Sequence, residues 1–87
     1  MRAVIVRMWE ARGRPENFAE LVAWVCDQAV PRYEQDPAHI TSEVFSSADL
    51  RIVVISRWRT IPPPLPTPPA HLIDRPPHFW DFAPVDR

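Results

Sequence analysis

The chain has 87 residues, 46% of them hydrophobic and 24% charged, with a formal net charge of -1. A chain of this size buries about 64% of its unfolded surface, enough for one small domain, and its composition excludes a disordered tail or a fibre. The near-zero charge argues against nucleic acid as a partner; no apolar run nears about 18 residues and no signal-peptide pattern opens the chain, so a cytoplasmic protein without a membrane span is expected.

Three counts narrow the chemistry. The single cysteine, Cys26, has no partner for an internal disulfide and is expected in the core. All ten basic residues are arginine, which removes Schiff-base chemistry and leaves fixed cations suited to gripping carboxylates. One glycine against twelve prolines excludes both the dinucleotide fingerprint and the phosphate-binding loop.

In chain order, Ala3 to Trp9 (AVIVRMW) is β-branched and almost continuously apolar, the pattern of a central strand. Gly13 and Pro15 mark a turn. From Glu16, residues Phe18, Leu21, Val22, Val25, Ala29 and Val30 fall on one helix face, and Pro31 ends or kinks the helix; a short turn through Tyr33 and Glu34 follows. Trp24 lies off that face, exposed or facing a partner. Ile40 to Ser46 alternates as a half-exposed strand, Ser47 to Asp49 has turn chemistry, and Arg51 to Arg59 (RIVVISRWR) reads as a second central strand, so the two make a hairpin.

Residues 61–77 carry eight prolines and cannot form an ordinary helix. As polyproline, Ile61 to Pro69 reaches about 28 Å, the length needed to cross a sheet. Ala70 to Arg75 has room for one turn, and His78 to Val85 (HFWDFAPV) reads as an edge strand because of Pro84. Strand, helix, strand, strand, crossover, strand gives an α+β, ferredoxin-like split βαβ antiparallel sheet over a single 1–87 domain.

Alternation then divides the faces. Val4, Val6 and Met8 with Ile52, Val54, Ser56 and Trp58, completed by His78, Trp80 and Phe82, are expected to face the helix and the arm. Ile5, Arg7, Trp9, Val53, Ile55, Arg57, Phe79 and Asp81 are expected on the other face, Asp81 paired to Arg7, covered by a second copy of the chain.

The runs RAVIVRMWEARGRPENFAELVAWV and RIVVISRW, followed by AHL, resemble the antibiotic biosynthesis monooxygenase (ABM) family of the dimeric α+β barrel superfamily, well over residues 2–60 and loosely beyond. The resemblance implies a homodimer acting on an aromatic or polyketide-like molecule, by cofactor-free oxygenation or by cyclisation or isomerisation. The family's tryptophan at the end of the third strand matches Trp58, and its histidine after the second crossover matches His71. The chain departs from the family where prolines replace the second crossover helix. The asparagine of haem-degrading members falls at about Val6, which counts against haem degradation.

Such chemistry needs a base to form an enolate, donors for the oxyanion and a dry cavity, with no cofactor or metal. His71 and His78 are the candidate bases, and Trp58, Ser56 and Tyr33 the candidate donors. The arm is expected to act as a stiff lid with Leu65 inward, over a substrate pocket lined by Val6, Val54, Trp58, Leu72 and Trp80, with His71 at its mouth. Three other readings compete: a non-catalytic dimeric binding protein, a metal site from His71-x-x-Asp74 and His78-x-x-Asp81, and a P-x-x-P docking ligand in the arm.

Overall fold

The computed structural model describes residues 3–87. β1 (Ile5–Arg12) pairs antiparallel with β3 (Arg51–Trp58) on one side and β4 (His78–Phe82) on the other, and β2 (His39–Ser46) pairs with β3, giving the order β2-β3-β1-β4. The two most apolar strands hold the centre and the alternating and proline-flanked ones the edges, which is the split βαβ arrangement. Each central strand begins or ends close to where the sequence pattern puts it. β4 stops at Phe82, before Pro84, which has no amide to donate to a ladder.

Helix runs through residues 18–34 without a break, as α1 (Phe18–Trp24), a π-helical segment Val25–Ala29 and α2 (Val30–Glu34). Pro31 was expected to end or kink it. Instead a wider turn stands immediately before the proline, and the Val30 amide donates to the Val25 carbonyl five residues back. A proline has no amide and crowds the carbonyl four residues earlier, so the extra residue per turn opens the backbone where the ring must fit. Leu21, Val25, Ala29, Val30 and Tyr33 form the buried stripe, while Cys26 is exposed, contrary to its expected place in the core. The sole glycine serves close packing here: a Cβ at Gly13 would come within 2.7 Å of the Phe18 ring and 3.0 Å of Leu21.

The second crossover is the extended arm of residues 61–69. Its buried positions are Pro62, Leu65 and Pro68, every third residue, which is the period of a polyproline helix laying one ridge on a surface. Leu65 therefore points inward, as expected. The arm ends in a single 3-10 turn, Ala70–Leu72.

Register corrects the face assignment of two strands. Arg7 stands opposite Ser56 and Asp81, and Trp9 opposite Val54 and Phe79, so Ile5, Arg7, Trp9 and Ala11 share the helix side with Ile52, Val54, Ser56 and Trp58. Val6 and Met8, with their partners Phe82 and Trp80, lie on the other face. The assignment for β3 holds; that for β1 and β4 is reversed. Both parities of β1 are apolar, so the position of the charged Arg7 decided the reading, and its burial inverts it.

The other face carries three cross-strand rows: Phe45, Val53, Glu10 and His78; Glu43, Ile55, Met8 and Trp80; Thr41, Arg57, Val6 and Phe82. Phe45 is 47% exposed, Trp80 42% and Phe82 53%. Glu10 is buried at one end of this face, held by Arg75 at 2.9 Å and Arg51 at 3.6 Å. No helix among the described residues is long and apolar enough to cross a membrane.

Candidate functional site

The sequence-derived site residues divide into three places. Tyr33, Val54, Ser56, Trp58 and Leu65 come together under the helix and the arm. Trp58 is fully buried at the end of β3, and its indole N–H donates to the Ser56 hydroxyl at 2.7 Å. The Tyr33 ring stands edge-on to it, centroids 4.7 Å apart, and His39 stands edge-on at 5.2 Å. Trp58, Ser56 and Val54 therefore fill the core rather than line a cavity, and the N–H proposed as an oxyanion donor is already engaged. Leu72 is buried in the same core, where it also borders Trp24 and Pro69.

Val6, Trp80 and His78 are displaced from the expected pocket to the opposite face, because a shift of one residue in parity moves every side chain of a strand across the sheet. His71 is also displaced: its side chain is 61% exposed and its Nε2 meets Glu20 Oε2 at 3.2 Å on the surface of α1. The 3-10 turn that carries it is anchored from outside, by Asn17 donating to the His71 carbonyl at 2.7 Å. Neither histidine reaches the Tyr33 cluster. The two His-x-x-Asp pairs do not converge, and no group of three or more His, Cys, Asp or Glu side chains among the described residues is placed to hold a metal ion.

A cleft of about 200 Å³ opens at the edge of the helix-side core, lined by Arg7, Trp9, Tyr33, Pro64, Leu65, Thr67, Pro77 and Phe79. It lies where the arm, narrower than a helix, leaves the β1–β4 side of the sheet incompletely covered. Its polar centre is Arg7. Nε and Nη2 donate to the two carboxylate oxygens of Asp81 at 2.8 and 3.0 Å, Nη1 donates to the Pro63 carbonyl at 3.3 Å, and the guanidinium lies 4.2 Å from the centre of the Phe79 ring. A guanidinium carries five N–H groups, so two remain for another acceptor.

Beside Arg7, the Tyr33 hydroxyl is buried with no hydrogen-bond partner among the described residues. Burial pushes its pKa up; Arg7 and the Leu65 amide, which face the phenol oxygen as donors outside good hydrogen-bond geometry, favour the phenolate but do not overcome the desolvation, and neither can accept the phenol proton. Tyr33 is thus a neutral donor in search of an acceptor. Asp81 moves the other way, held below the ordinary carboxylate range by hydrogen bonds from Arg7, and Arg7 is raised by the same contact. The bland role of this trio is mechanical: it ties β1, β4 and the arm together, and that role alone leaves the Tyr33 hydroxyl unexplained.

The Arg7–Asp81 contact follows from strand order, and it was expected at the covered open face. Trp9, Thr67, Pro64, Pro77 and Phe79 were not expected to line a site at all. The parity of β1 and β4 identifies Trp9 and Phe79, and the course of the arm identifies the rest; what fixes that parity is the acceptor Arg7 finds in the Pro63 carbonyl.

No protein-family model matches the chain, and no curated protein matches it in sequence. Among solved structures it is similar to that of Rv0793 from Mycobacterium tuberculosis, with a TM-score of 0.71 over 97% of each chain and 16% identity. At that identity the likeness is one of fold.

Proposed function

We propose that the chain is a homodimeric, cofactor-independent enzyme of the ABM type that converts a small phenol or 1,3-dicarbonyl compound through its enolate at the Arg7–Tyr33 cleft. The observation that carries this reading is the buried Tyr33 hydroxyl, whose proton has no acceptor, beside Arg7 at the cleft. Tyr33 and Arg7 supply hydrogen bonds to an oxygen whose negative charge grows as the enolate forms, inside a site walled by Trp9, Leu65 and Phe79. Tyr33, which lines the cleft, is held high and Asp81, behind Arg7, is held low, so the substrate's own acidity has to permit proton loss. Phenols and 1,3-dicarbonyls meet that condition.

In the oxygenation version, an aryl C–H becomes C=O with one atom of O2, the other atom leaves as water, and all the electrons come from the phenol. Cyclisation or isomerisation starts from the same enolate. A cavity of about 150 Å³ is enough for benzene, so this cleft suits one substituted ring rather than the fused rings of a polyketide. The homodimer rests on the open face: Phe45, Ile55, Met8, Trp80 and Phe82 form a continuous apolar surface of the kind that monomers rarely expose.

The sealed Trp58 core favours a second reading, a dimeric binding protein without turnover. Oxygen uptake and product analysis with single-ring phenols and 1,3-diketones, alongside ligand-observed NMR, separate the two. Turnover that falls about 10² to 10³-fold in Tyr33→Phe, the cost of losing one oxyanion donor, supports the enzyme. Binding without turnover supports the second reading, and absence of binding overturns both.

A further inference from the structure

We propose that Asp81 sets the ligand specificity of the cleft, closing it to carboxylates so that it accepts a neutral ligand presenting a carbonyl or phenol oxygen. This inference rests on the cleft being a ligand site, as proposed above, but not on its catalysing a reaction.

The argument starts from what Arg7 has left to give. An arginine in a small apolar cleft is ordinarily a carboxylate receptor, because its planar fork matches the two carboxylate oxygens. Here that fork is filled from within the chain: Nε and Nη2 each donate to one oxygen of Asp81. The guanidinium is buried, its side chain 7% exposed, while Asp81 is 40% exposed at the edge strand, so the pair reaches the cleft as a neutral unit. Arg7, Asp81 and Tyr33 are the ionisable groups at this place, and Tyr33 stays protonated. A ligand carboxylate would enter with no uncompensated cation to meet it and with a second carboxylate on the far side of the same guanidinium. Desolvation of that charge would go unrepaid.

What the cleft lacks is an acceptor. The Tyr33 hydroxyl has no acceptor for its proton, and the two N–H groups of Arg7 not used by Asp81 or Pro63 are the adjacent donors, directed at the same place. A single neutral oxygen can take hydrogen bonds from both directions, whereas the rest of the ligand meets Trp9, Leu65, Phe79 and two prolines. Leaving a buried donor unpaired is what a site built around it uses to reject ligands without an acceptor. Asp81 thus converts an anion receptor into a carbonyl receptor.

The test uses two probes of nearly the same shape, benzamide and benzoate, titrated into the full chain at neutral pH with tryptophan fluorescence and NMR shift mapping. The wild type should bind benzamide at least tenfold more tightly than benzoate, with shifts at Tyr33 and Phe79. Asp81→Asn, which keeps an acceptor oxygen for Arg7 but removes the charge, should tighten benzoate at least tenfold more than it changes benzamide. Tyr33→Phe should weaken benzamide in the same measure. Equal affinity of the wild type for the two probes overturns the proposal, and that comparison needs no variant to fold. An unchanged ratio in a folded Asp81→Asn variant overturns it as well. If neither probe binds, the ligand site itself is refuted. If the preference holds while no phenol or diketone is turned over, the enzyme reading fails and the specificity stands.

Discussion

The two crossovers cover the same face of the sheet by different means. The helix of residues 18–34 buries Leu21, Val25, Ala29 and Tyr33, every fourth residue, and spends its backbone polar groups on itself. The arm buries Pro62, Leu65 and Pro68, every third residue, and has no internal hydrogen bonds to make. A backbone without internal partners has carbonyls to lend, and the Pro63 carbonyl accepts from Arg7. Had this crossover been a helix, that oxygen would be committed within it. The proline arm therefore does two things a helix would not: it tolerates a buried cation on β1, and by being narrow it leaves the cleft beside that cation.

The largest effect separates the two covers by what surrounds them. Leu21 is fully buried between helix and sheet, and Leu21→Ala should cost about 3 kcal/mol in urea unfolding, within the range for large-to-small core changes. Leu65 is 8% exposed under a strap with solvent on its far side, so its site can collapse and Leu65→Ala should cost about 2 kcal/mol. A cost for Leu65 equal to that for Leu21 would make the arm as much a part of the core as the helix. A cost under about 0.5 kcal/mol would mean that the arm does not hold the fold.

A smaller effect tests the charge that the arm permits. Removing Asp81 strands the buried Arg7, which for a wholly buried pair costs about 3–5 kcal/mol. The 40% exposure of Asp81 lets water reach the guanidinium, so about 1.5 kcal/mol is expected for Asp81→Ala at pH 7. The pH dependence has a definite sign. Asp81 titrates lower folded than unfolded, so its contribution is present above the unfolded value of about 3.9 and fades as pH falls below it through the folded value. Tyr33 titrates higher folded than unfolded, so its contribution is lost as pH rises past about 10. Chemical denaturation across pH should show Asp81→Ala flattening the acid limb and Tyr33→Phe the alkaline one. Limbs unchanged by these substitutions would refute Arg7 as the cause of the low Asp81 value and burial as the cause of the high Tyr33 one.

Strand order, both crossovers and the inward Leu65 are legible in the residues because each rests on a period: two for strands, near four for the helix, three for the arm. The proximity of Arg7 and Asp81 is legible for the same reason, since neighbouring strands fix it. The face they occupy is not. Val4, Val6 and Met8 are as apolar as Ile5, Trp9 and Ala11, so the pattern of β1 fits either parity, and a rule that keeps charge out of cores chose the wrong one. What decides the matter is an acceptor, the Pro63 carbonyl, contributed by a segment more than fifty residues away. The site displaced with it: Val6, Trp80 and His78 depended on that parity, and His71 depended on a lid whose hinge turns outward to meet Asn17 and Glu20. The unbroken helix through Pro31 was illegible because the π-helical segment is a geometric answer with no residue signature of its own.

The smallest effect turns on those prolines, and it compares one substitution at two places. Pro66 lies in the arm, where its fixed backbone angle matches the conformation required and no amide is called for. Pro66→Ala should change no contact that matters and act through the unfolded chain, which gains freedom; a loss of about 0.5 kcal/mol follows. Pro31 lies in the helix, where alanine would supply an amide and a far better helix former. That gain competes with the same increase in unfolded-state freedom and with whatever the π turn already absorbs, so Pro31→Ala should raise stability by about 0.5 kcal/mol. Opposite signs for the two variants, measured under one set of conditions, mean that proline stiffens the arm before folding and burdens the helix after it. A loss of about 2 kcal/mol or more for Pro66→Ala would instead place the arm's prolines among the contacts that hold the fold, and benzamide affinity measured on the same variant would show whether the cleft is preformed by that stiffness or assembled around its ligand.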